Sequence, residues 1–411
     1  MSAPPKSPLL SVAEALRQVL ADAAPMEAEN VALNAAAGRT LSDNVAAKLT
    51  HPPFNASSMD GYAVRAADIL ATPVTLEVQG EAAAGRPFHD ALKPHHAIRI
   101  FTGAPVPESA DCVVLQEDTR REGARVTILE TARAGRNVRP AAQDFREGQT
   151  ILTKGRRLTA RDILLAASAG HANLNVIRKP VVALLATGNE LVPPGTPPRS
   201  GQIVSSNSIA LAVLVETAGG KAETLGIARD TLESLAQKLA AARDADILIT
   251  TGGASVGDHD LVRPALEHAG AKLEFYKIAM RPGKPMFFGS RPRAQGLTPQ
   301  RILGLAGNPV AALIGARVFL VPLLARMQGR TATAETITAT LAEPLEANGP
   351  REHYMRATLD MSVMPPRVTA LPNQDSALTS LFAAADSLIV LPVHSPALPA
   401  GAAVSVLRLD F

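Results

Sequence analysis

The sequence contains one cysteine, Cys112, and no tryptophan. A lone cysteine excludes an internal disulfide and any cysteine-based metal centre. It sits in the apolar run CVVL, which predicts a buried thiol and not a nucleophile. Aromatic residues make up 3% of the chain, too few for a platform on which single-stranded nucleic acid would stack. Neither sign of charge dominates. With 41 basic residues against 38 acidic ones the net charge is +3, so no nucleic-acid partner is expected. Apolar runs are short or interrupted by Gly, Pro or charge, so no membrane span is expected. The opening MSAPPKSPLLSVAEAL lacks a basic segment followed by a long apolar one. No secretory signal is therefore expected, and the cytoplasm is the expected compartment. No Ser-His-Asp constellation or nucleophile elbow is legible. His95 and His96 are adjacent, without ligand spacing, and are expected at the surface.

What is present is a soluble globular composition, 46% hydrophobic and 19% charged over 411 residues, a length that predicts several domains. Residues 9–23 predict a helix, with Ser11 and Glu14 as a capping box. From 51 onward the segment HPPFNASSMDGYAVR bars a helix and turns at Asp60-Gly61 into a strand. Residues 74–130 read as a small β domain. Residues 135–157 return extended, and a helix follows over Thr159–Ala169, stopped by Gly170. The β domain thus reads as an insertion into a segment that leaves and comes back.

From Lys179 strands alternate with helices, which predicts an α/β fold with a doubly wound, mostly parallel sheet. PVVALLATGNE, AETLGIARD, DILITT, LEFYKIAM and RILGLAGNP are the expected strands. After about Met327 short alternating runs predict a C-terminal β-barrel or sandwich. In a doubly wound sheet ligands sit beyond the carboxyl ends of the strands. Here those ends carry Glu190, Asp230, the loop Gly252–Asp260 and Gly307-Asn308-Pro309.

The loop TGGASVGDHD is the centre of this arrangement. Gly252, Gly253, Ser255 and Gly257 follow a strand and precede a helix, a layout in which backbone N–H groups face an anion. It is neither a Walker A nor a GxGxxG loop. The carboxylates Glu190, Asp230, Asp258 and Asp260 suit a hard cation such as Mg²⁺, which one or two carboxylates and substrate oxygens hold. Helix capping accounts equally well for Asp230, which Glu233 follows at capping-box spacing. Lys277, Arg281 and Lys284, in KIAMRPGKP, form either a solvated loop or an anion clamp stiffened by its prolines.

Six motifs together form a known pattern: MDGYAV (59–64), TGAPVP (102–107), TGNEL (187–191), TGGASVGDHD (251–260), RPGKP (281–285) and GNPVAAL (307–313). In this order they resemble the MoeA-type molybdopterin molybdenumtransferases, the family that includes the C-terminal domain of gephyrin. The resemblance implies an N-terminal helix and linker segment (1–50), an inserted β domain (51–140) and a returning linker (141–178). An α/β molybdopterin-binding domain (179–326) and a C-terminal β-barrel (327–411) complete the expected chain. It implies hydrolysis of adenylated molybdopterin with insertion of molybdate and release of AMP, in the presence of Mg²⁺. It also implies a homodimer with its site in the cleft between subunits, with molybdopterin adenylyltransferase and molybdoenzyme maturation factors as further partners. Matched by motif, the implied catalytic residues are Asp60, Thr102, Glu190, Asp230 and Asp260, with Glu190 and Asp260 on the metal. Asp144, Lys277, Arg281, Lys284, Asn308, Pro309, Arg351, Arg356 and Ser376 join the loop glycines and Ser255 as implied substrate-binding residues. Three positions depart from the pattern: Arg281 stands where lysine is frequent, Ala306 replaces a proline, and Asp375 replaces a glycine before Ser376. Two other readings stay open, a pterin-binding scaffold without turnover and a phosphoanhydride hydrolase that shares the α/β domain alone.

Overall fold

The computed structural model describes residues 9–253, 261–293, 297–332 and 335–411. The chain forms two compact units, Asn30–Val176 and the segments on either side of it. The first helix, α1 (Val12–Leu20), belongs to the flanking unit. Ser11 caps it through the Glu14 N–H, and Val12, Ala15 and Val19 are buried. The expected reciprocal half of the capping box does not form, because the Glu14 carboxylate turns to Arg17 instead.

In Asn30–Val176 the early and late segments meet again. Val45–Ala46 pairs with Thr150–Leu152, and Leu41, Val45, Leu152, Leu158, Leu174 and Val176 share one core. Between them lies a sheet of β1 (Gly61–Val64), β2 (Val74–Ala82), β3 (His96–Ile100), β4 (Cys112–Leu115), β5 (Thr119–Glu122) and β6 (Arg125–Ile128), in the order β4-β1-β3-β2-β6-β5. Alternate residues fill opposite faces: Tyr62, Val64, Cys112 and Val114 on one, Ala63, Ile98, Ile100 and Val113 on the other. Cys112 is fully buried, and burial pushes its thiol up to about 12, so it is inert. Helix α2 (Ala160–Ser168) starts at a Thr159–Asp162 capping box and gives way to Gly170 at φ +88°.

The other unit contains the predicted α/β sheet, built from β7 (Val181–Thr187), α3 (Asn207–Thr217), β8 (Lys221–Ala228), α4 (Leu232–Ala241), β9 (Ile247–Thr251), α5 (Val262–His268), β10 (Lys272–Lys277), β12 (Pro285–Arg291) and β13 (Gln300–Leu305), with the short β11 (Met280–Arg281) outside it. The sheet order is β8-β7-β9-β13-β12-β10. The pairs β8–β7, β7–β9 and β9–β13 are parallel, whereas β12 runs antiparallel to both β13 and β10. Strand β12, PMFFGSR, is an addition to the strands read from sequence, and it separates β10 from the parallel four. Both faces are covered, with Val182, Leu184, Ile247 and Ile249 on one side and Ala183, Leu185 and Leu248 on the other.

Helix α6 (Pro309–Gly315), the π turn Ala316–Leu320 and α7 (Val321–Met327) form one apolar stretch. It is long enough to cross a bilayer, but 78% of its apolar window is buried inside the fold, as in a core helix. The C-terminal strands β14 (Thr336–Leu341), β15 (Glu352–Asp360), β16 (Arg367–Ala370), β17 (Ser387–Leu391) and β18 (Ala403–Arg408) close into a barrel, β15-β16-β14-β18-β17 and back to β15. The short β11 adds to β15 in parallel, placing Met280 opposite Glu352 and Arg281 opposite His353.

Candidate active site

The parallel strands β7, β8, β9 and β13 all end on one edge of their sheet, and the polar motifs follow directly. Gly252 stands at φ +87°, and a Cβ there would lie 2.5 Å from the Thr187 carbonyl oxygen. No side chain fits, so the turn after β9 requires glycine. A Cβ added to Gly307 would lie 3.8 Å from the Gly252 Cα, and Asn207 at the start of α3 donates to the Gly307 carbonyl at 2.7 Å. The ends of β7, β9 and β13 thus lie side by side with little room for side chains at Gly252.

Asp230 is not the helix cap. Thr231 accepts from the Ser234 N–H and caps α4, while an Asp230 oxygen accepts from the Asn189 N–H at 3.0 Å. Asn189 returns the bond by accepting from the Asp230 N–H at 3.2 Å. The reciprocal pair ties the ends of β7 and β8 together. Glu190 is exposed, and its carboxylate folds back over Gly188, where an added Cβ would lie 2.5 Å from Oε2. Gly253 follows at φ +61°. Ser255, Gly257, Asp258 and Asp260 lie outside the described residues.

Beside this edge is a cleft of about 490 Å³ between the β10–β12 connection, the β13–α6 turn and the barrel. Arg281, Lys284 and Arg351 line it against one carboxylate, Asp375. Gly283, at φ +109°, lets the Arg281–Lys284 turn close tightly. Asn308 occupies the position before α6 without a side-chain cap bond, and Pro309 stands in the first turn. The Asn308 amide donates to the Ser376 hydroxyl at 2.9 Å, and the Val310 N–H donates to the Ser376 carbonyl. The 373–378 turn is thereby pinned over the helix start. Asp375 accepts from the Ala377 N–H at 2.9 Å, so its carboxylate also holds that turn. Ala306, in the proline's place, is buried at the cleft wall.

Two expected anion ligands stand elsewhere. Lys277 ends β10 and is not among the residues lining this cleft. Arg356 is 1% exposed and donates to the Asn373 and Leu378 carbonyls and to the Gln374 amide oxygen. Burial lowers its pKa, and Asp375 opposes that effect. Arg356 shapes the cleft wall from behind. Sequence reading also passed over Asn189, Asn207, Gln374 and His353. Asn189 sits inside a quoted motif, between Gly188 and Glu190, and only its strand-end position hinted at a role.

In the Asn30–Val176 unit, one oxygen of Asp60 accepts from both the N–H and the hydroxyl of Thr102, each at 2.8 Å. The Thr102 backbone bond, followed by its hydroxyl, lowers the Asp60 pKa and keeps the carboxylate ionised. Arg99 supports the pair: its guanidinium lies over Tyr62 and Phe101 and donates to the Gly61 carbonyl. Asp144 is exposed where its N–H donates to the His51 carbonyl. His95 is exposed, and His96 lies half-buried 3.6 Å from Glu77.

Over residues 10–170 the chain matches the MoeA N-terminal region (domains I and II), and over 183–326 a probable molybdopterin binding domain. Residues 338–409 match the MoeA C-terminal region (domain IV). The chain belongs to the MoeA family. The molybdopterin molybdenumtransferase of Nostoc sp. is 38% identical to it over 344 residues, 82% of this chain and 78% of that protein. Its counterpart in Bacillus subtilis is 34% identical over 97% of this chain and 94% of its own length. Two solved structures of the molybdopterin biosynthesis MoeA protein of Pyrococcus horikoshii align with TM-scores of 0.83 and 0.79 at 30% and 26% identity. They cover 98% and 97% of this chain and 100% of their own. The resemblance carried by the six motifs is therefore borne out, as is the α/β architecture with a closed C-terminal barrel. A MoeA chain is a transferase of molybdenum cofactor biosynthesis, which sets aside a hydrolase built on the α/β domain alone.

Proposed function

We propose that this MoeA protein inserts molybdate into adenylated molybdopterin and releases AMP. The observation that carries the reading is the cationic cleft of Arg281, Lys284 and Arg351 beside an edge where four strand ends present glycine and carboxylate chemistry. A phosphoanhydride needs such cations, and each charge-assisted contact contributes about 1.5–3 kcal/mol. Asn308 and Ser376 hold the cleft's far wall in register, and Pro309 fixes the helix start. Asp60, kept ionised by Thr102, and Asp144 supply carboxylates from the Asn30–Val176 unit.

Mg²⁺ fits the donors present. Glu190 is an exposed oxygen ligand with water access, and hard cations of this size retain several waters. Among the described residues no three His, Cys, Asp or Glu side chains converge on one point. Glu190, with Asp260, would hold the ion, and Asp230 keeps the Glu190 turn fixed through Asn189. The ion supplies neutralising charge where molybdate and the phosphoanhydride repel each other. We place the working form as a cytoplasmic homodimer whose sites lie at the subunit cleft. It would receive substrate from a molybdopterin adenylyltransferase and pass product to molybdoenzyme maturation factors.

The test is incubation with adenylated molybdopterin, Mg²⁺ and molybdate, measuring AMP and reconstitution of a molybdoenzyme. Both products are expected in equal amounts. Tight pterin binding without AMP would instead identify a scaffold, the reading that Asp375 in the cleft favours.

A further inference from the structure

Paired with one of the cleft's arginines, though not itself among the residues lining the cleft, is a buried histidine without a role so far. His353 is 6% exposed and stands opposite Arg281 in the β11–β15 pairing and opposite Leu391 in the β15–β17 pairing. Arg351, two residues before it, lines the cleft with Arg281. Among the described residues three charged groups act on it. Arg281 reaches it from β11, and Arg351 and Arg356 from its own chain segment. Strand β17 offers apolar Leu391. In the 373–378 turn the charged residue is Asp375, which acts on Arg356. Glu352 is engaged by the Tyr354 hydroxyl at 2.5 Å. Burial first, then the three guanidiniums, push the imidazole down to about 4. Guanidiniums stay charged at any ordinary pH, so the ring is the member of this group whose charge can respond.

We propose that His353 is a conditional cation of the cleft, neutral in the free protein over a span of mildly acidic pH in which it takes up a proton once a phosphate-type dianion sits against Arg281, Lys284 and Arg351. The inference rests on the reading of this cleft as the anion site of the reaction above. A dianion there offsets the guanidinium field at the ring and adds attraction of its own. An anion that comes within about 4–6 Å of the ring would raise it by one to three pH units. The proton comes from solvent, and no covalent bond changes. The linkage sign follows. Because the bound state holds the extra proton, affinity for the anion is flat above the bound-state pKa and rises as pH falls through it. It levels off below the free-state value of about 4, having gained roughly tenfold for every pH step by which the anion raises the ring.

The probe is sulfate, a dianion that does not titrate in this range, with the full-length protein between about pH 4 and pH 7.5. The His353 ring resonance is assigned by its loss in His353→Gln, or in His353→Asn should the first variant fold poorly. Without sulfate its midpoint is expected near 4. Saturating sulfate should raise that midpoint to about pH 5 or above, and the acid-side gain in affinity should vanish in the histidine variant. If sulfate perturbs the cleft amides while the His353 midpoint stays, the proposal is overturned and the cleft reading stands. If sulfate perturbs nothing in the cleft, the anion-site reading itself falls, and this proposal with it. Asp375→Asn guards the assignment: a pH dependence that disappears there but persists in His353→Gln belongs to the carboxylate and refutes the role of the ring.

Discussion

Individual side chains at the strand ends divide into those that meet solvent and those that hold backbone. Glu190 and Asp230 are both exposed, but Asp230 spends an oxygen on the Asn189 N–H. Glu190→Gln should therefore suppress AMP release at limiting Mg²⁺ by at least the roughly 10–100-fold that losing an outer-shell partner costs. Melting temperature should stay put, and turnover equal to that of the parent protein at limiting Mg²⁺ would remove Glu190 from the metal. Asp375 poses the opposite problem, a negative charge among cations. Asparagine there keeps an acceptor for the Ala377 N–H, so Asp375→Asn removes charge without releasing the turn. Sulfate should bind on the order of fivefold tighter at low ionic strength, the gain shrinking as salt screens it. Equal affinity at low salt would mean that the carboxylate does not act on the cleft anion. These roles were only half legible beforehand. Residue type and strand-end position marked Glu190, Arg281 and Lys284 as candidates. Whether Asp230 capped a helix or bridged two strands depended on a partner 41 residues away, and Arg356 looks like any exposed arginine until its carbonyl partners are known.

At the scale of elements, the sheet depends on a buried charge cluster at the start of β9. Asp246 is 2% exposed and accepts from Arg178, Arg293 and the Val181 N–H. Burial alone would raise its pKa, but the Arg178 and Val181 bonds outweigh that and leave it lowered. A depressed carboxylate stabilises the fold above its unfolded pKa, and the contribution is lost as pH falls through the folded value. Acid unfolding should therefore show a component below the usual aspartate value of 3.8 that Asp246→Asn abolishes. At neutral pH the same variant should cost about 1–3 kcal/mol in urea unfolding, since it removes the buried charge both guanidiniums share, leaving Arg178 on Glu27 and Arg293 on backbone carbonyls. Loss of less than about 1 kcal/mol would mean the cluster is solvated. Gly252→Ala tests the other edge. Its φ of +87° alone should cost about 1–3 kcal/mol, and the Cβ presses on the Thr187 carbonyl, so activity should fall with stability. The parallel strands were legible because they alternate with helical stretches and three of the four run into a glycine turn. Strand β12 was not, since PMFFGSR opens with proline, contains Gly289 and follows a turn motif. Its place is set by tertiary pairing, with Phe287 packed on Gly304 of β13. Ser11–Glu14 matched the capping-box pattern, but a nearby arginine won the carboxylate.

At the scale of the whole molecule the proposed carboxylates fall into two sets. Asp60, Thr102 and Asp144 belong to Asn30–Val176, and Glu190 and Asp230 to the unit formed by the flanking segments. If the enzyme works as a two-fold dimer with shared sites, each site takes one set from either chain. Asp60→Ala and Glu190→Ala homodimers should then each be nearly inactive, because every site lacks one carboxylate. Mixing the two and exchanging subunits gives heterodimers in which one site carries both lesions and the other carries neither. About half the dimers would be mixed, and half of their sites intact, so AMP release should recover to about a quarter of the parent activity. Exchange can be followed with a differently tagged copy of each variant, which separates failure to mix from failure to complement. Verified heterodimers that stay inactive would place both carboxylates of a site on one chain, and the shared-site arrangement would then be wrong.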